Sequence, residues 1–137
     1  MMKKIILSLA LISSALLADI SVIVNPDSGV DSLDANQVKK IFMAKTKKFP
    51  NGSIVVPIDQ KSENGIYGDF YQKVAGKSAT KMSKYWVKLI FTGKAEAPKK
   101  VDGDSDVIDL IKGNKNMIGY VDATSVIDGV KVAYTVK

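Results

Sequence analysis

Five residues suited to holding a small ligand fall within the seven-residue stretch DQKSENG: Asp59, Gln60, Ser62, Asn64 and Gly65. The stretch follows an apolar run, IVVPI (54–58). It precedes an amphipathic one, in which Ile66, Phe70 and Val74 recur every four residues. Strand, polar loop and helix start is the layout in which backbone N–H groups and the positive end of a helix hold an anion. The same residues have a plainer use if Ser62 or Asn64 simply caps the helix. Asp59 and Glu63 would repel a dianion unless they turn away or accept its proton. A second loop, NPDSG (25–29), follows the first strand. It offers Asn25, Ser28 and Gly29 as a donor loop at the same sheet edge, or is turn chemistry alone.

Composition narrows the chemistry. Cysteine and histidine are absent, which excludes disulfides, thiol catalysis and an imidazole base, and removes the commonest transition-metal ligand. All 20 basic residues are lysine, so no planar guanidinium fork is available for phosphate or carboxylate. An anion must be held by backbone N–H groups, hydroxyls, amides or lysine. A hydrolase would need Asp59 and Glu63 as a close pair in one cleft. No nucleophile elbow, triad or metal spacing accompanies them, so no enzyme, metal or cofactor is expected. DGDSD (102–106) lacks the length and the terminal glutamate of a calcium loop and reads as helix-capping chemistry.

The first 18 residues, MMKKIILSLALISSALLA, join two lysines to an apolar run and small residues. This is a signal peptide, with cleavage expected after Ala18. The remaining 19–137 would be one exported domain, periplasmic or secreted, with no membrane-spanning segment. Removing Lys3 and Lys4 lowers the formal charge from +6 by two. That mild excess can steer small anions but does not form a nucleic-acid surface.

Hydrophobic residues make up 46% of the chain, enough for one core. ISVIVNP (20–26) reads as a buried strand and 33–45 as a helix. That helix has Asp34 and Gln37 as a capping box, with Val38, Ile41 and Phe42 facing inward. IVVPI is a second strand that Pro57 should end or place at an edge. Helices follow at 64–75, closed by Gly76, and at 79–91, capped by Ser78. The second of these carries a stripe of Met82, Tyr85, Trp86, Leu89 and Ile90, which reads as core packing. A polar connection (94–105), a fourth helix (106–113) around Val107, Leu110 and Ile111, and a strand (117–122) come next. In 126–136, Asp-Gly signals a hairpin, with Val130, Val132, Tyr134 and Val136 on the dry face. Interleaved strands and helices imply an α/β fold with a small, mostly parallel or mixed sheet.

The ordered set NP, LDANQVKKIFMAKTKKFPNG, VVPIDQ, YWVKLIFTGK and IGYVD resembles the phosphate-binding periplasmic solute-binding proteins of ABC transporters, in particular their short, single-lobe members. The resemblance covers about residues 20–122. It implies a single lobe of the periplasmic-binding-protein-like (type II) fold with about four helices, a small anion such as phosphate as ligand, and an ABC transporter as partner. A single lobe would need completion by a second copy or another chain. The alternative is a module that kept the lobe, lost the ligand and docks on an envelope protein. Tyr67 stands where many short relatives carry arginine, and Ala44 stands where the family usually has glycine.

Overall fold

The computed structural model describes residues 19–137, so the expected signal peptide lies outside the described residues. Five strands form one mixed sheet in the order β3-β2-β4-β1-β5. They are β1 (Ile20–Val24), β2 (Val56–Gln60), β3 (Lys99–Val101), β4 (Met117–Asp122) and β5 (Lys131–Val136). Strand β2 runs parallel to β3 and β4, whereas β1 runs antiparallel to β4 and β5. Helices α1 (Ala35–Phe42), α2 (Gly65–Ala75) and α3 (Ala79–Phe91) cover one face, and α4 (Asp104–Gly113) covers the other.

Alternation along the strands builds the two cores. Val22, Val24, Ile118 and Tyr120 point toward α1–α3, and Ile23, Ile58 and Val121 point toward α4. On the first face Phe70 stacks on Tyr120 with ring centres 3.9 Å apart, and Phe42 meets both rings edge-on. Three helix ends match their sequence signals. Asp34 and Gln37 exchange the two bonds of a capping box. Ser78 Oγ accepts from the Lys81 N–H, and Gly76 closes α2 at φ 67°.

Several elements differ from the sequence expectation. Strand β2 is central, not an edge, and continues to Gln60. It tolerates Pro57 because β3 joins only at Ile58, so no ladder bond is asked of the proline nitrogen. Strand β3 lies inside the expected polar connection. It is three residues long and carries two lysines, the form of a protected edge that leaves no apolar alternation to read. Helix α4 starts two residues early. Asp128-Gly129 makes a turn but no hairpin, because β1 lies between β4 and β5. A bulge in β5 opposite Val22–Ile23 exchanges the faces of Val132 and Ala133 only; Tyr134 and Val136 keep the expected inward side. Ala133 is therefore buried, Val132 is exposed, and the Ala133 carbonyl accepts from Leu33 N–H. Along α3, Met82 and Trp86 are buried, while Ile90 is exposed where the last turn overhangs a groove.

The backbone at Ala44 is of the kind that suits glycine. Helix α1 ends in a Schellman motif, with Lys45 N–H donating to the Lys40 carbonyl and Ala44 N–H to the Ile41 carbonyl. The motif places Ala44 at φ 59°, where a Cβ is strained. Ala44→Gly is expected to raise stability by about 0.5–1 kcal/mol, read from urea unfolding, because relief of that strain exceeds the added entropy of the unfolded chain.

Candidate functional site

The β2–β4 ladder stops at Pro57–Ile118. Side chains take over beyond it. Asp59 turns toward α2 and is fully buried. Its Oδ2 accepts from the Tyr71 hydroxyl and its Oδ1 from the Tyr120 hydroxyl, both at 2.7 Å. Gln60 turns the other way. Its Nε2 donates to Asp104 Oδ1 at 2.7 Å and to the Tyr120 carbonyl at 3.0 Å. The Gln60 N–H donates to Tyr120 Oη.

Asp104 stands at the first turn of α4, where the helix field favours a carboxylate. It does not cap its helix. Its second oxygen instead accepts from the Asp122 N–H at 3.1 Å and from Ser125 Oγ at 2.6 Å. A carboxylate thus fills the polar cluster between the ends of β2 and β4.

The loop beyond Gln60 is open. Lys61, Ser62, Glu63 and Gly65 are exposed, and Asn64 is half-buried. Asn64 is the N-cap residue of α2, yet its side chain makes no capping bond. Its Nδ2 is drawn aside to the Asp102 carbonyl at 2.7 Å and to Gln60 Oε1 at 3.3 Å. Among the described residues, no acceptor meets the N–H of Gly65 or Ile66. The capping reading of Ser62 and Asn64 is therefore not what the structure shows. Lys61 pairs with Asp102 at 2.8 Å on the surface. Lys100 Nζ lies 5.1 Å from the Tyr67 ring centre, so an ammonium stands beside the first turn of α2.

The second loop is elsewhere. Because β1 runs antiparallel to β4 and β2 runs parallel to it, their carboxyl ends lie at opposite ends of the sheet. Helix α4 spans the distance, with Asp104 bonded to Gln60 at one end and Asn25 bonded to Ile111 and Lys112 carbonyls at the other. The helix from Asp104 to Ile111 and Lys112 separates them by about 11 Å. Asn25, Ser28 and Gly29 therefore do not join Ser62–Gly65 at one edge. They hold their own turn: Asn25 Oδ1 accepts from Asp27 N–H, Ser28 Oγ from Val30 N–H, and Gly29 sits at φ 81° under Asn51. Nor do Asp59 and Glu63 share a cleft, since one is buried and the other exposed.

Sequence reasoning missed Asp104, Tyr71 and Tyr120. Asp104 lay in a run whose acids looked interchangeable. The tyrosines lay in apolar patterns where only a buried acid opposite would have marked them out.

No protein-family model matches the chain, and no curated protein matches it in sequence. Solved structures do match. A Clostridium perfringens protein of the phosphate ABC transporter substrate-binding kind, solved with phosphate bound, is 21% identical with a TM-score of 0.68; the match covers 85% of this chain and 45% of that one. An ABC-type phosphate transport receptor from Vibrio cholerae is 16% identical with a TM-score of 0.66, covering 85% and 46%. PstS from Borrelia burgdorferi is 15% identical with a TM-score of 0.60, covering 84% and 47%. This is the fold of one lobe of a phosphate-type substrate-binding protein. The lobe spans about half the length of the solved structures it matches. Among its described residues no helix is long and apolar enough to cross a membrane.

Burial dominates the titration of Asp59 and raises its pKa from 3.8 to about 6, against the lowering pull of the Tyr120 and Tyr71 hydroxyls and of Lys100. Burial likewise raises Tyr71 well above the ordinary range and Tyr67 to about 12. A raised carboxyl favours the neutral form in the fold. Its stabilising effect is present below about pH 3.8 and is lost as pH rises through about 6. Asp59→Asn fixes a neutral side chain. Relative to the parent, the variant is expected to gain up to about 3 kcal/mol between pH 4 and pH 7, checked by urea unfolding at both.

Proposed function

We propose that residues 19–137 form one exported lobe that binds a small anion of the phosphate class, without catalysis, at the mouth formed by Ser62, Asn64 and Gly65. Gln60 and Asp59 lie beneath and position the loop. The observation that carries this reading is the uncapped start of α2, where Gly65 and Ile66 N–H groups and the Ser62 hydroxyl are left for a ligand. The likeness to phosphate-binding lobes supports it. Lys100 beside Tyr67 supplies a cation near the place where short relatives carry arginine.

Energetics set the expected strength. Three charge-assisted bonds contribute about 1.5–3 kcal/mol each. Association costs at least about 4 kcal/mol. The surplus of about 1–5 kcal/mol corresponds to millimolar binding or weaker. Useful capture would need a second lobe from another copy or another chain, presented to an ABC transporter in the periplasm.

One observation favours the other reading, a docking module that no longer binds a solute. The Asp104 carboxylate already takes the donors of Gln60, Asp122 and Ser125. The two readings part on a calorimetric titration with inorganic phosphate. Binding in the millimolar range supports the first, and no heat at millimolar ligand for monomer and any oligomer supports the second. Gly65→Pro removes one amide donor at a helix position that accepts proline, after an Asn64 backbone that is already extended. It is expected to weaken phosphate about tenfold while leaving thermal stability nearly unchanged.

A further inference from the structure

At the opposite end of β2 from the loop, an open groove of about 780 Å³ runs between the end of α1, the segment 54–57 and the chain that leaves α3. Its apolar part is presented by Ile54, Val56 and Ile90, over the buried Ile41 and Val55. Ile54 is 61% exposed and Ile90 54% exposed. On α3, Val87 and Phe91 continue the Ile90 face at helical spacing, and Phe91 is 91% exposed. Large side chains grouped this way are a contiguous exposed patch, which marks an interaction surface more often than chance exposure.

Charge says what fits. Lys47, Lys94 and Lys99 line the groove with Glu96 as the sole acid. A second depression shares Ile41 and Thr46 with the first and adds Lys40, Lys45 and Lys48. None of these six lysines forms an ion pair among the described residues. We infer that this groove docks a segment of a partner protein in which apolar and acidic side chains alternate. Apolar anchors fill the floor, and carboxylates meet the lysine rim. A bare polyanion has nothing to bury against Ile54, Val56 and Ile90. A second copy meeting the groove with its own groove brings lysine against lysine. A recessed floor suits an inserted side chain better than a bilayer surface.

The inference is independent of anion binding at Gly65. It is tested by fluorescence anisotropy of a short labelled peptide alternating leucine and glutamate. Saturable binding is expected. It should fall at least about tenfold in Ile90→Glu and in the double variant Lys47→Glu, Lys94→Glu. A peptide alternating leucine and lysine should not bind. Ile90 is exposed, so Ile90→Glu is expected to keep the parental circular dichroism and the parental response to phosphate. Equal binding by parent and variants, or no saturation at millimolar peptide, overturns the inference. So does flotation with phosphatidylglycerol vesicles that Ile90→Glu abolishes and the acidic peptide does not compete, which assigns the patch to lipid. A dimer that Ile90→Glu disperses, without peptide binding by the parent, assigns it to self-association and overturns it as well.

Discussion

A buried carboxyl between two phenols governs this lobe. Asp59 lies where β2 leaves the ladder, and it ties that strand at once to α2 through Tyr71 and to β4 through Tyr120. A group of this kind is tolerated only when its oxygens are satisfied, and here each has one hydroxyl donor. The same ring of Tyr120 stacks on Phe70, so the polar clamp and the aromatic core share one side chain. The direction in which residues 61–65 leave the sheet is thereby set by packing. It is also why the start of α2 can do without a capping side chain: the helix is held by its second turn instead of by its first.

The sheet divides its chemistry by direction. Strands that run one way deliver the 61–65 loop and the first turn of α4 to one end, and β1 delivers the 25–29 turn to the other. At the first end, donors and acceptors are tightly matched around Asp104. What remains unmatched is a short row of amides at the surface. The interior positions at this end are taken by the protein's own carboxylates, Asp59 and Asp104.

Much of this was legible beforehand. Helix starts at Asp34 and Ser78 and the stop at Gly76 follow from local hydrogen bonding, which sequence states directly. The buried strand 20–24 follows from its β-branched run. Harder to read were features decided by partners distant in the chain. Pro57 looked like an end because the late arrival of β3 is invisible locally. The Asp-Gly turn looked like a hairpin because nothing in 126–136 says that β1 will intervene. The bulge at Ala133, which turns Ala133 inward and Val132 outward, leaves no mark on composition. For the candidate site, residue type and spacing pointed to the loop 59–65. Its joining with 25–29 was not, because strand direction depends on the order of the whole sheet. Asp104 was hidden among equivalent acids.

The register of the outer strands carries one more consequence. Ile20 lies opposite both Val136 and Asp122, so the first and last described residues leave the sheet side by side, at the same end as the carboxyl end of β2. Two neighbouring attachment points restrain whatever is joined through both of them to one hinge line, with the sheet as the fixed arm.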